Sequence, residues 1–210
     1  MKLNSMAIVQ YLVQATGYEE TKSLEFLRDL VACIKPASVL ELGTGFGASA
    51  AYMAAAIGNG RIVTVDNYDG GYANSPRALE ENFKRLGFDG KVRFVKSTTH
   101  KTCEALKVAG IKIVPEIVFM DADHSQDGLA AEYRNIQPLL PKDHIIVVDD
   151  VAVAIPDVRK FVVETMEQYE YCLTVKNFHW GMAIACTNSD YFIKVANIIR
   201  NADLNHKEQA

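Results

Sequence analysis

Short apolar runs recur along this chain, each followed by a longer stretch in which apolar positions return every three or four residues. Ser38 to Leu42 mixes β-branched and apolar residues over a length that suits a strand covered on both faces. Arg61–Asp66, Val92–Val95, Glu116–Asp121 and His144–Asp149 repeat the pattern. Between them the spacing predicts helices over Ala48–Ile57, from Ser75-Pro76 to about Leu86, over Thr98–Val108 and Ser125–Leu140, and from Pro156 to about Tyr169. Upstream, Glu19–Ile34 sets Leu24, Leu27, Leu30, Val31 and Ile34 at helical spacing before Pro36 stops it, and residues 4–18 suit a shorter helix. These two helices read either as cover for the mouth of a site or as plain core cover.

Strands alternating with helices imply a parallel sheet with right-handed crossovers. The end of the chain breaks that rhythm. Tyr171–Lys176 and Gly181–Thr187 both read as strands, yet only Asn177 to Trp180 separates them, too few residues for a crossover helix, so they form an antiparallel hairpin. Asn188–Asn201 closes the chain as a helix and Asp203–Ala210 reads as a polar tail. The expected fold class is α/β: a Rossmann-like, seven-stranded, mostly parallel sheet with a reversed last strand and helices on both faces.

A chain of 210 residues fits one domain, with residues 1–35 as helical cover, 36–187 as sheet core and 188–210 as terminal helix and tail. The formal charge of −4 without a basic block argues against nucleic acid as a partner. Cys33, Cys103, Cys172 and Cys186 are scattered, which suggests neither a zinc site nor a disulfide framework. No apolar run approaches the ~20 residues needed to span a bilayer and no basic, apolar leader opens the chain, so a cytoplasmic protein is expected.

The chemistry gathers around Val39-Leu40-Glu41-Leu42-Gly43-Thr44-Gly45-Phe46-Gly47-Ala48-Ser49, a strand that breaks into a glycine-rich turn and opens a helix. Glycines at alternate positions let the backbone turn tightly and approach a ligand. The turn also fits the pattern of dinucleotide binders, so nicotinamide and flavin cofactors stay in play. Two acids bear on the choice. Asp66, at the tip of the second strand, suits a ribose hydroxyl; Glu41, just before the glycines, would face a cofactor's positive charge but repel a pyrophosphate. That favours S-adenosylmethionine over NAD.

Ligands in open α/β sheets sit beyond the carboxyl ends of the strands. Those ends carry Glu41, Asp66, Lys96-Ser97-Thr98, Asp121-Ala122-Asp123-His124 and Asp149-Asp150. Crowded carboxylates raise one another's pKa, and a bound cation relieves them. Oxygen-only ligation by Asp121, Asp149 and Asp150 points to Mg²⁺, Ca²⁺ or Mn²⁺. The alternative is helix capping, which suits Asp123 before the Ser125 helix. His124 is the candidate base; His100, His144 and His179 read as structural, although His179 and Trp180 could also line a substrate pocket.

Together, Leu40 to Ser49, Asp66, Phe119-Met-Asp-Ala-Asp-His-Ser125 and Val147-Val-Asp-Asp-Val151 resemble class I S-adenosylmethionine-dependent methyltransferases. The likeness is greatest to metal-dependent O-methyltransferases of the catechol and caffeoyl-CoA type and their bacterial D-x-D-H-S relatives, and it runs from about Thr21 to Thr187. It implies that Glu41, Gly43, Gly45 and Ser49 hold the amino-acid portion of the cofactor, Asp66 its ribose, and Ser97 and Thr98 border its adenine. Thr44, Asn67 and Asp121 complete the cofactor set. Asp121, Asp149 and Asp150 fall on the metal positions, for Mg²⁺ by expectation, and His124 on that of the base. Asp150 replaces the usual asparagine, His124 the lysine of the catechol enzymes, and Pro141-Lys-Asp-His144 the usual glycine turn. The implied activity is methyl transfer to a small-molecule hydroxyl, and dimerisation is common in that family. The rival readings are an NAD-dependent oxidoreductase and a non-catalytic cofactor-binding member of the same fold.

Overall fold

The computed structural model describes residues 22–69, 75–151, 156–176 and 181–207; the helix expected over 4–18 and the Phe178–Trp180 loop, with His179, lie outside them. Helix α1 (Lys22–Ile34) buries Leu24, Phe26, Leu27, Leu30 and Val31 along one stripe. It ends where Lys35 takes a left-handed φ of 55° and gives its N–H to the Val31 carbonyl at 2.9 Å, with Pro36 unable to continue. Then come β1 (Ser38–Leu42), α2 (Ala48–Ala56), β2 (Arg61–Asp66), α3 (Pro76–Arg85), β3 (Val92–Lys96) and α4 (Thr102–Val108). The second half holds β4 (Ile117–Met120), α5 (Gln126–Ile136), β5 (Ile145–Val148), α6 (Pro156–Thr165), β6 (Tyr171–Val175), β7 (Met182–Cys186) and α7 (Ser189–Lys207).

The seven strands lie in the order β3-β2-β1-β4-β5-β7-β6. Neighbours from β3 to β5 are parallel, and β7 is antiparallel to both β5 and β6, so one strand is reversed as the short hairpin demands. One apolar layer joins α1, α2, α3 and α7 to Val39, Ile62, Phe94, Phe119 and Val147. The other joins α4, α5 and α6 to Leu40, Leu42, Val63, Val118 and Met120. Because side chains alternate along a strand, Glu41, Asp66, Asp121 and Asp149 continue the first of these faces. Alanines at 50, 51 and 54 let α2 press against that face and α1.

Several boundaries differ from expectation. Short 3₁₀ turns at Thr99–Lys101, Gln137–Leu139 and Met166–Gln168 replace ends of the predicted helices; Pro138, which lacks an N–H, accounts for the second. The predicted tail does not begin at Asp203, since α7 continues to Lys207. No glycine or proline follows Gly181 to stop it. Among the described residues no helix is long and apolar enough to cross a membrane.

The Pro141–His144 turn acquires a role. His144 is buried, with Nδ1 2.7 Å from the Pro141 carbonyl and Nε2 3.0 Å from the Tyr169 hydroxyl. A carbonyl only accepts, so Nδ1 carries the hydrogen and Nε2 accepts from Tyr169, whose oxygen lies 2.8 Å from the Tyr133 hydroxyl. The imidazole thus pins the entry to β5 against the segment after α6, and burial lowers its pKa.

Candidate active site

The site lies at the carboxyl ends of β1, β2, β4 and β5, where the strand order reverses between β1 and β4. Gly43 (φ 94°) donates its N–H to Val65 at 2.9 Å, extending the ladder one residue past β1. A Cβ there would collide with the Asp121 carbonyl oxygen, so only glycine fits between the two strand ends. At Gly47 (φ 80°), the N-cap of α2, a Cβ would press on Leu79 and Phe83.

Asp66 organises the turn. Its Oδ2 accepts the N–H groups of Thr44 (2.8 Å) and Gly45 (3.1 Å), and its Oδ1 that of Tyr68 (2.7 Å), which sits at φ 56°. The amides that a dinucleotide-binding turn would aim at phosphate are therefore spent on a carboxylate. The Thr44 hydroxyl meets those of Thr64 (2.6 Å) and Tyr68 (3.2 Å) beneath the turn.

Glu41 is fully buried. Ser49 Oγ donates to its Oε1 at 2.5 Å, while Oε2 is buried without a hydrogen-bond partner. Burial raises its pKa to about 8; the Ser49 hydrogen bond opposes the rise and the charges of Asp121 and Asp66 add to it. A buried acid under the floor of a cleft, with one oxygen free of hydrogen bonds, fits a cleft that binds a cation.

On the neighbouring strand ends, His124 Nε2 stands 3.1 Å from Asp150 Oδ2 and 3.5 Å from Asp121 Oδ1. The Asp121 carboxylate is the largest cause of a raised His124 pKa, opposed by burial and aided by the charges of Asp150 and Asp149, although Nε2 makes no well-aligned hydrogen bond. Asp150 adopts φ 61°. Burial first, then neighbouring acids, raises the pKa of Asp149 and of Asp150. Asp149 Oδ1 is occupied by the Asp150 N–H at 3.0 Å. Among the described residues, the donor atoms within 4.8 Å of one another belong to Asp121, His124 and Asp150. The structure thus puts His124, not Asp149, in the trio able to share an ion.

A cavity of about 850 Å³ connects these parts, within the range that holds a cofactor and a small acceptor. Gly43, Thr44, Gly45, Ser49, Asp66, Asn67, Thr98, Asp121, His124, Asp149 and Asp150 all line it. Two expected residues do not: Glu41 lies beneath Ser49, and Ser97 turns its hydroxyl to the Thr98 carbonyl at 3.1 Å. The cavity also has walls whose residues the sequence reading did not single out, although it offered the helix that is α1 as cover for the mouth of a site. Leu24 and Leu27 of α1 and Met182 of β7 give it apolar lining, with the Ser23 hydroxyl beside them. Opposite, His100 Nε2 meets Asp123 Oδ2 at 3.2 Å, backed by Thr99 hydrogen-bonded to buried Glu132. Burial raises the Glu132 pKa to about 7. The α1 residues carried a usable signal, since their helix precedes a sheet whose ligand edge it can overhang; the His100 wall depends on a 3₁₀ turn that periodicity does not register.

A methyltransferase-domain family model matches residues 40–151. Rhamnosyl O-methyltransferases of Mycobacterium bovis and Mycobacterium tuberculosis are 31% identical over 130 residues, covering 59% of this chain and 49% of theirs. The chain thus spans about half the length of the curated relatives it matches. A solved structure from Staphylococcus aureus, described as a candidate caffeoyl-CoA O-methyltransferase, has a TM-score of 0.68 at 16% identity over 88% of this chain and 93% of that one. A Bacillus cereus O-methyltransferase in complex with SAH gives 0.65 at 14% identity, over 90% and 94%. At such identities the structural likeness speaks for the fold. With the family model spanning more than half of its length, and with the glycine turn, Asp66 and the Asp121–Asp150 edge inside the match, this chain belongs to the methyltransferase-domain family.

Proposed function

We propose that residues 1–210 act as one domain that transfers a methyl group from S-adenosylmethionine to a hydroxyl of a small molecule. The observation that carries this reading is one cavity holding the Gly43–Gly45 turn on one side and Asp121, His124 and Asp150 on the other. The relatives named as O-methyltransferases support the same class. Glu41, ionised once a positive group lies over Ser49, would balance the cofactor's charge from below. Asp66 holds the turn and, with Asn67, offers acceptors toward a ribose; Thr98 lies where the adenine would border the wall. When bound, the sulfonium supplies an already electrophilic methyl group, so the protein chiefly aligns acceptor and donor and excludes water. His124, oriented by Asp121 and Asp150, takes the hydroxyl proton at Nε2.

The donor set also fits a divalent cation: Asp121, Asp150 and His124 would hold it, in which case His124 is a ligand and not the base, and the ion would supply the Lewis acidity that lowers the hydroxyl's pKa. Oxygen ligands alone suggested Mg²⁺; an imidazole nitrogen moves the preference toward Mn²⁺ and later ions. Two measurements test the reading. Isothermal titration is expected to show S-adenosylhomocysteine binding in a one-to-one complex, and methyl transfer is expected to vanish in Asp150→Ala and on treatment with EDTA. Turnover indifferent to EDTA would remove the ion and leave His124 as the base. Binding of NADH in preference to S-adenosylhomocysteine would favour the oxidoreductase instead, a reading that the Asp66-occupied turn amides do not support.

A further inference from the structure

Resting on the reading above, we infer that Ser23 is a cofactor-binding residue: its hydroxyl donates to the carboxylate in the amino-acid portion of S-adenosylmethionine. Ser23 lies at the top of α1, lines the cavity and is only 6% exposed. A serine within a helix ordinarily returns its hydroxyl to a carbonyl one turn back. The Ser23 Oγ is instead buried with no hydrogen-bond partner, and an O–H left so is costly unless a ligand satisfies it. Helix placement tells which ligand oxygen comes near. α1 leads into the amino end of β1 and α2 leaves its carboxyl end, and the two helices pack together in one layer, so both start at the ligand edge of the sheet. There Ala48 and Ser49, the first residues of α2, line the same cavity, and the N-cap Gly47 gives their amides no side-chain acceptor. Such a helix end favours an anion. Beside it the Ser49 hydroxyl rests on buried Glu41, the acid set to balance the cofactor's positive charge. In an α-amino acid the ammonium and the carboxylate share one carbon, so an ammonium seated over Glu41 directs the carboxylate toward the α2 amides and Ser23. The Thr44 and Gly45 amides of the neighbouring turn do not compete, being held by Asp66.

Truncating both sides of the contact tests it without an acceptor and without turnover. Calorimetry measures binding of S-adenosylhomocysteine, and of its decarboxylated analogue that keeps the amine, to the wild type and to Ser23→Ala. The variant is expected to hold S-adenosylhomocysteine about ten-fold or more weakly, as loss of a hydrogen bond to a charged group requires, and to hold the decarboxylated analogue as the wild type does. Urea unfolding of the ligand-free proteins gives a second readout. Alanine removes a donor that has no partner there, so the variant should be at least as stable as the wild type. An equal loss for both ligands, the mark of a distorted helix rather than a lost contact, overturns the proposal, and so does a ligand-free variant less stable than the wild type. The two questions stay apart: a wild type that binds neither ligand refutes the methyltransferase reading and this inference with it, whereas S-adenosylhomocysteine binding unchanged by Ser23→Ala refutes the inference alone.

Discussion

Replacing Glu41 by glutamine should make the ligand-free protein more stable at alkaline pH while weakening its hold on the cofactor. The folded-state pKa of about 8 lies above the ordinary 4.5, so folding favours the protonated acid. Below pH 4.5 folded and unfolded chains are both protonated there and no cost arises. Between 4.5 and 8 the unfolded chain ionises while the folded one does not, and stability falls by about 1.4 kcal/mol per pH unit. Relaxation around the buried group reduces the total, leaving roughly 2–4 kcal/mol at pH 8. Glutamine copies the neutral acid, can still accept from Ser49 and escapes the penalty. Urea unfolding should therefore give equal stabilities for Glu41→Gln and wild type at pH 4.5 and a more stable variant at pH 8. The wild type should bind S-adenosylhomocysteine with release of nearly one proton at pH 7, seen as a dependence of the calorimetric heat on buffer ionisation enthalpy. A constant stability difference across this range, or binding without proton release, would refute the reasoning.

Other perturbations isolate other parts of the site. Asp66→Ala strips three backbone N–H groups of their acceptor and should lower stability by about 2–4 kcal/mol in urea, before any loss of cofactor affinity is considered. Gly43→Ala forces a methyl group onto the Asp121 carbonyl and should cost more than about 4 kcal/mol, leaving little soluble protein on expression. His144→Phe should flatten the acid limb of the stability curve: burial holds the His144 pKa below its ordinary 6.5, so its contribution is whole above that value and is lost as pH falls beneath it. His124 shifts the opposite way, so the wild-type minus variant difference, not the raw curve, is the quantity to compare.

Much of this architecture is written in periodicity. Short β-branched runs such as Ile145–Val148 suit strands buried on both faces, and the short spacing between Val175 and Met182 leaves no room for a crossover, so the reversed strand was legible. The strand ends also bring Glu41, Asp66, Asp121 and Asp149 to one edge, and the register of the strands sets them on one face. What periodicity does not encode is how each carboxylate is used. Asp66 read as a ribose acceptor, and the sequence did not show that its oxygens also serve three backbone amides of the turn, a consequence of the sharp path through Gly43 and Gly45. His124 stands beside Asp121 and Asp150, while Asp149 turns its Oδ1 to the Asp150 N–H. The Thr99–Glu132 and His144–Tyr169 contacts join residues 33 and 25 positions apart, and such pairings follow from packing alone.

The contact between Gly43 and Asp121 carries a broader implication. Because the backbone of the donor loop abuts the backbone that bears the acceptor-side acid, with Asp121 N–H bonded to Leu42 at 2.8 Å, the two halves of the floor form a single mechanical piece. Neither can be re-aimed without the other. Under the proposed function, new acceptor preferences are therefore more readily gained, by evolution or in the laboratory, at exposed His100 on the cavity wall than at Leu27 or Met182, which are buried in the core.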